Sequence, residues 1–170
     1  MTGAEARVVD LGSLTDQCAK WQQSGLKVVF TNGVFDLLHR GHVTYLAEAA
    51  SMGDVLVVGV NDDDSVRRLG KGEDRPIVPE QDRATVVAAL RSVASVVLFG
   101  QDTPLQLIEA IGPDVLVKGG DYDADCTDAT DPRYIVGSAE VKAKGGRVAT
   151  IDLVPGRSTT AMAKKLKGKA

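Results

Sequence analysis

The run Asp54-Val-Leu-Val-Val-Gly-Val60 constrains the fold more than any other stretch. After Asp54 it is apolar throughout, with none of the polar alternation of a strand that shows one face to water. A strand of this kind is covered on both faces, which is the habit of parallel sheets flanked by helices. Four more short apolar runs share the pattern, at 26–31, 95–99, 114–118 and 147–151. The segments between them carry helix signals. Residues 13–24 read as a helix with Ser13 or Thr15 as cap and Gly25 as stop, packed onto the domain by Trp21. A second helix, 42–52, ends before Gly53 as its C′ residue, and a third, 79–91, opens on Pro79-Glu-Gln-Asp82 with acids in its first turn. Thr103-Pro104 reads as cap and first-turn proline of a helix stopped by Gly112-Pro113. Further helices are expected at 133–144 and at 159–168, capped by Ser158. Residues 61–75 are polar and hold Gly70 and Gly72, so a loop with one helical turn is expected. Strand and helix alternate along the chain. The expected architecture is a Rossmann-like three-layer α/β fold with a five-stranded parallel sheet, a single domain over 26–170, and an N-terminal helical segment, 1–25, packed on it.

In such sheets ligands bind beyond the carboxyl ends of the strands, where the strand order reverses. Polar clusters follow strand one (Asn32 to His42), strand two (Asn61 to Arg83), strand four (Lys118-Gly-Gly-Asp-Tyr122) and strand five (Pro155-Gly-Arg-Ser-Thr-Thr160). Their convergence on one sheet edge implies a large polyanionic ligand. No Gly-x-x-x-x-Gly-Lys-Ser/Thr and no Gly-x-Gly-x-x-Gly follows strand one, which argues against a P-loop and a dinucleotide redox site. The net charge is −3, so bulk attraction to nucleic acid or an anionic membrane is not expected. No apolar run approaches the roughly 20 residues of a membrane span. The first residues lack a signal-peptide pattern, and Cys18 and Cys126 form no metal-type spacing; a reduced, cytoplasmic setting is expected.

The distinguishing stretch is Thr31-Asn-Gly-Val-Phe-Asp36-Leu-Leu-His39-Arg-Gly41-His42. A strand turns on glycine into a helix whose first amides lack partners, an anion site with two imidazoles beside it. Ser158, Thr159 and Thr160 open a second helix and form a second such site, beside their capping role. Arg83 lies one turn into a helix and is expected to project toward phosphate. Lys71 and Arg75 lie in the polar loop and are expected to close over a triphosphate. Lys118 directly follows a buried strand, where a lysine is costly without a partner such as phosphate. Asp36 is placed for a substrate hydroxyl or for orienting a neighbour. Asp121 and Tyr122, after a glycine pair, border a base or a sugar.

Taken with Arg75-Pro76, Gln81-Asp82-Arg83, Val117-Lys-Gly-Gly-Asp-Tyr122, Val136-Gly-Ser138 and Gly156-Arg-Ser-Thr-Thr160, the chain resembles the nucleotidyltransferase superfamily that includes glycerol-3-phosphate cytidylyltransferase. His-x-Gly-His and Ser-Thr-Thr carry the superfamily likeness. Thr-Asn-Gly and Val-Lys-Gly-Gly-Asp-Tyr are closer to the branch that adenylylates D-glycero-β-D-manno-heptose 1-phosphate to ADP-heptose. Enzymes of that branch occur alone or fused to a sugar kinase. The cytidylyltransferase branch carries a lysine where Thr44 stands here, a departure that favours the heptose branch. The resemblance implies transfer of AMP from ATP, as its Mg2+ complex, with release of pyrophosphate. It gives His39, His42 and Lys118 catalytic roles and assigns the nucleotide to Thr31, Asn32, Gly33, Phe35, Gly41, Arg83, Gly119, Asp121, Ser158, Thr159 and Thr160. Asp36, Lys71, Arg75 and Tyr122 would meet the sugar phosphate. No dedicated protein metal cluster is expected; phosphate oxygens and water would hold the Mg2+. The other readings are CTP or another acceptor, such as glycerol-3-phosphate or FMN, and a nucleotide sensor without turnover. No second catalytic half is read in these residues, so a separate kinase would supply the acceptor. The acidic stretch 123–134 reads as a solvated loop. A homodimer or higher homo-oligomer is expected.

Overall fold

In the computed structural model the described residues are 3–70, 72, 74–152, 154, 159 and 162. A 3-10 turn, Glu5–Arg7, precedes helix α1 (Leu11–Gln23). Then follow β1 (Val28–Gly33), α2 (Arg40–Ala50), β2 (Val55–Asn61), α3 (Asp63–Arg68), α4 (Glu80–Ala88), β3 (Ser95–Phe99), α5 (Leu105–Ile111), β4 (Val115–Gly119), α6 (Ser138–Ala143) and β5 (Arg147–Ile151). The five strands form one parallel sheet in the order β3-β2-β1-β4-β5. The expected α/β fold is the observed one.

Side chains leave a strand on alternate faces, so two cores form. Val29, Leu56, Val58 and Val60 join Leu46 and Ala49 of α2 and Ala84, Val87 and Ala88 of α4 on one face. Val28, Phe30, Val57 and Leu116 join Leu14 and Cys18 of α1, Leu107, Ile108 and Ile111 of α5 and Val141 of α6 on the other, with Trp21 packed against them. That double cover is why the strands read as apolar runs. Among the described residues no helix is long and apolar enough to cross a membrane.

The order turns back on itself between β1 and β4, which pair directly. The chain leaves β1 for α2 on the first face and leaves β4 for α6 on the second. The connections therefore part at the carboxyl ends of these two strands, and a crevice opens there.

Several boundaries differ from expectation for identifiable reasons. Helix α1 starts earlier, because the Asp10 carboxylate accepts the Ser13 amide at 2.9 Å and the Ser13 hydroxyl at 2.6 Å; neither Ser13 nor Thr15 is the cap. Gly53 does not cap α2 in a left-handed conformation. It is needed for space: a Cβ there would stand 2.6 Å from Val29 Cγ2 and 2.9 Å from the Lys27 carbonyl oxygen. Pro104 itself occupies the N-cap position of α5, without a side-chain cap from Thr103. The helix expected at 133–144 shortens to Ser138–Ala143 because Gly137, at φ +88°, is outside helical backbone. The helix expected at 159–168, with its cap Ser158, lies outside the described residues apart from Thr159 and Met162.

Candidate functional site

Strand β1 ends at Gly33, and the six residues before α2 build the first wall of the crevice. His39 is the N-cap residue of α2, in extended backbone, and its side chain makes no capping bond. The first turn of the helix therefore has no side-chain cap from His39, while the His42 amide donates to the His39 carbonyl at 2.9 Å. His39 and His42 stack, with ring centroids 4.0 Å apart and planes 16° from parallel. Phe35 meets the His42 ring edge-on at 5.4 Å and 65°. Burial first, then the adjacent His39, hold the His42 pKa down to about 4. Two stacked imidazoles cannot both carry a proton cheaply, so His42 is neutral at pH 7.

The facing wall comes from β4. Lys118 is 8% exposed, donates to the Asn32 side-chain oxygen across the β1–β4 pair, and lies 5.6 Å from the Tyr122 ring centroid. The crevice encloses about 710 Å3 and is lined by His39, Gly41, His42, Lys118, Gly119 and Asp121, with Asn32, Gly33, Phe35, Tyr122 and Thr159. The two histidines and the residues after β4 are thus brought together as the sequence implied. Thr159, whose hydroxyl lies 3.4 Å from the Leu37 carbonyl oxygen, places the start of the last segment beside the β1–α2 loop. Ser158, Thr160 and Lys71 lie outside the described residues.

Three expected roles change. Thr31 is fully buried, and its hydroxyl is hydrogen-bonded to Tyr45 at 2.7 Å; Tyr45 also donates to the Val117 carbonyl at 3.3 Å. Thr31 thus ties β1 to α2 and does not line the crevice, whereas Tyr45 does. Burial pushes the Tyr45 phenol up to about 12, which keeps it a neutral donor. Arg83 is 1% exposed and is enclosed by three protein acceptors: the Val78 carbonyl at 2.8 Å, the Val34 carbonyl at 2.6 Å and Asp63 at 2.7 Å. Its guanidinium braces the loops after β1 and before α4 and does not project toward phosphate. Asp36 is engaged by protein groups, not exposed for a substrate hydroxyl. It accepts the Ile77 amide at 2.8 Å and the Val78 amide at 2.9 Å and pairs with Arg75, so of its two expected roles the orienting one matches the geometry. Arg75 and Asp36 line a smaller lobe of about 480 Å3 that shares His42 and Thr159 with the crevice.

Phe99, Asp102 and Tyr134, which the sequence does not mark as site residues, also line the crevice, as does Asn61, which opens the polar cluster after strand two. Asn61, a buried amide ending an apolar strand, was a readable signal of the same kind as Lys118. Tyr134 had none, because it closes the acidic 123–134 segment. There Asp123, Asp128 and Asp131 each accept the amide two residues on, at 3.0, 2.9 and 2.8 Å. Those turns fit the expected solvated loop. Among the described residues no group of three His, Cys, Asp or Glu could hold a metal ion.

A doubly wound parallel sheet whose switch point gathers stacked imidazoles, a helix start and a buried lysine is an α/β domain with a crevice at the carboxyl ends of its strands. The chain belongs to the cytidylyltransferase-like family, whose model matches residues 30–164. It is 54% identical over 160 residues to the bifunctional protein HldE of Methylobacillus flagellatus, covering 94% of this chain and 31% of that protein. It is 50% identical to the bifunctional protein HldE of Citrifermentans bemidjiense, covering 96% of this chain and 32% of that one. The chain thus spans about a third of the length of these relatives. Among solved structures it is similar to the lipopolysaccharide core biosynthesis protein of Thermoplasma volcanium, at 27% identity and TM-score 0.58, over 76% of this chain and 98% of that one. Pantoate-beta-alanine ligase of Francisella tularensis shares the fold alone, at 13% identity and TM-score 0.56, over 89% of this chain and 69% of that one.

Proposed function

We propose that this chain transfers AMP from ATP to D-glycero-β-D-manno-heptose 1-phosphate, giving ADP-heptose and pyrophosphate. The observation that carries the reading is the stacked His39–His42 pair at the start of α2, facing Lys118 across the switch point. The Thr-Asn-Gly and Val-Lys-Gly-Gly-Asp-Tyr stretches support the heptose acceptor, and the bifunctional names of the relatives suit a domain that occurs alone or fused to a kinase.

A sugar-phosphate oxygen attacks the α-phosphorus of ATP. A new P–O bond forms, the bond to the β-phosphate oxygen breaks, and pyrophosphate carries the electron pair away. The second pKa of a phosphate monoester is about 6, so the nucleophile arrives ionised and needs no general base. The site has to align the reactants and stabilise charge on the α-phosphoryl and leaving oxygens. His39, His42 and the first amides of α2 donate to the phosphates, with Gly41 leaving room for close approach. Thr159 contributes from the adjoining turn, and Ser158 and Thr160 are proposed to do the same. Lys118, steered by Asn32, is directed to the acceptor phosphate, and Asp121 and Tyr122 border it. Arg75, with Lys71 as a proposed partner, serves the lobe beside His42. Mg2+ would enter as part of the MgATP substrate, with phosphate oxygens and water as its ligands.

Pyrophosphate release measured with a panel of nucleotides and phosphorylated acceptors tests the reading. ATP with the heptose 1-phosphate is expected to give the highest kcat/KM. Turnover with CTP alone, or on glycerol-3-phosphate or FMN in preference, would overturn the acceptor. ATP bound without turnover on any acceptor would show a sensor.

A further inference from the structure

Among the described residues Phe35 is the one non-glycine residue with left-handed backbone, at φ +49°. A bulky side chain is disfavoured there, and such strain persists only where the surroundings over-determine it. Here the surroundings are specific. On one side stands Gly33, where an added Cβ would lie 3.1 Å from Phe35 Cε2 and 3.3 Å from Cζ, so the ring needs the bare backbone of residue 33. On the other stands the His42 imidazole, with centroids 5.4 Å apart and planes at 65°. Phe35 is 7% exposed and belongs to the core that includes Leu46 and Val60. His42 is thereby caught between the Phe35 ring and the face of His39, and its Nδ1 is buried without a hydrogen-bond partner among the described residues.

We propose that Phe35 is a positioning residue for His42: left-handed backbone over Gly33 delivers its ring to the imidazole, seats the imidazole against His39 and shields it from water where it meets the incoming phosphate. The inference rests on the phosphate-handling role proposed for His42. The charged and titratable groups around the imidazole are few. Its own helix supplies His39 and Tyr45. Asp36 and Arg75, in the smaller lobe, are engaged with each other, and Asp102, Lys118, Asp121, Tyr122 and Tyr134 line the larger one. Burial leads the causes of the low His42 pKa, and the Phe35 ring supplies part of that burial.

The chain holds two histidines, so both ring titrations can be followed by NMR in the full chain. The variants are Phe35→Leu, which removes the ring and keeps the backbone demand, Phe35→Gly, which removes both, and Phe35→Tyr, which keeps the ring. Gly33→Ala crowds an unaltered Phe35 and gives a second route should the ring-less variants fail to fold. The Leu, Gly and Ala variants are expected to raise the His42 titration by about one pH unit and to move the acid limb of the pyrophosphate-release profile with it. They should lower kcat about tenfold, with the KM for ATP changed less. Phe35→Tyr should retain the wild-type titration. A His42 titration unmoved in the folded Leu and Gly variants, or unmoved in Gly33→Ala if those do not fold, would overturn the inference. A wild-type chain with a low His42 titration that shifts in these variants, yet without nucleotidyl transfer, would remove the functional reading and its phosphate, and leave only the seating of the imidazole by Phe35.

Discussion

Asp36 carries a testable share of the stability of the crevice. Its side chain is 2% exposed and accepts two amides, at 2.8 and 2.9 Å, besides pairing with Arg75. Removing one partner of a buried ion pair costs about 3–5 kcal/mol, and each amide left without an acceptor adds to that when water cannot reach it. Two features lower the figure here. The hydrogen bond from the Ile77 amide is only part-buried, so water can replace its acceptor, and Arg75 borders the 480 Å3 lobe into which it can turn. Asp36→Ala is therefore expected to cost about 2–3 kcal/mol, a large part of the roughly 5–15 kcal/mol that holds a domain together. Asp36→Asn keeps an oxygen for the two amides and loses the charge, and should cost about 1 kcal/mol. Urea unfolding should show lower midpoints with unchanged slope, and Tm for Asp36→Ala should fall by about 4–12 °C. An alanine variant within about 0.5 kcal/mol of wild type, or an asparagine variant worse than alanine, would refute the reasoning.

Gly137→Ala forces a left-handed alanine and sets its Cβ 2.6 Å from Ile108 Cδ1; a loss of about 2–4 kcal/mol is expected by urea unfolding. His42 titrates near 4 when folded, against an ordinary 6.5. Above pH 6.5 both states are neutral and its contribution is whole. As pH falls from 6.5 toward 4 the unfolded chain takes the proton first, so stability declines. Urea midpoints should drop over that window, and His42→Gln should flatten the part above pH 5. Lys118→Ala should raise the KM for the sugar phosphate more than that for ATP; steady-state kinetics with each substrate varied would show the reverse if Lys118 served the nucleotide.

The layers were legible because burial on both faces leaves its mark on single strands, as in 54–60. The extent of β1 was not. It runs on through Asn32 and Gly33, polar or bare residues that still pair with Gly59 and Val60 because they carry the strand to the crevice. The imidazole pair could be read because its parts lie three residues apart in one motif. The Arg83 brace could not, since its acceptors come from Val34, Asp63 and Val78, and an arginine one turn into a helix reads alike whether solvated or enclosed. Thr31 misled for a related reason. Sharing a motif with Asn32 says nothing of which face of the sheet a side chain takes, and its partner, Tyr45, lies a helix away. The cap at Asp10 does not stand out in the sequence because Ser13 and Thr15 are themselves good caps; only the structure shows which oxygen reaches an amide.

Single-turnover pyrophosphate release by His42→Ala, with MgATP and the heptose 1-phosphate both saturating, bears most directly on the crevice as the seat of phosphoryl chemistry. The account predicts a rate lower by about 100- to 1,000-fold with near-wild-type circular dichroism and urea midpoint at pH 7. A folded variant that releases pyrophosphate at the wild-type rate would contradict it.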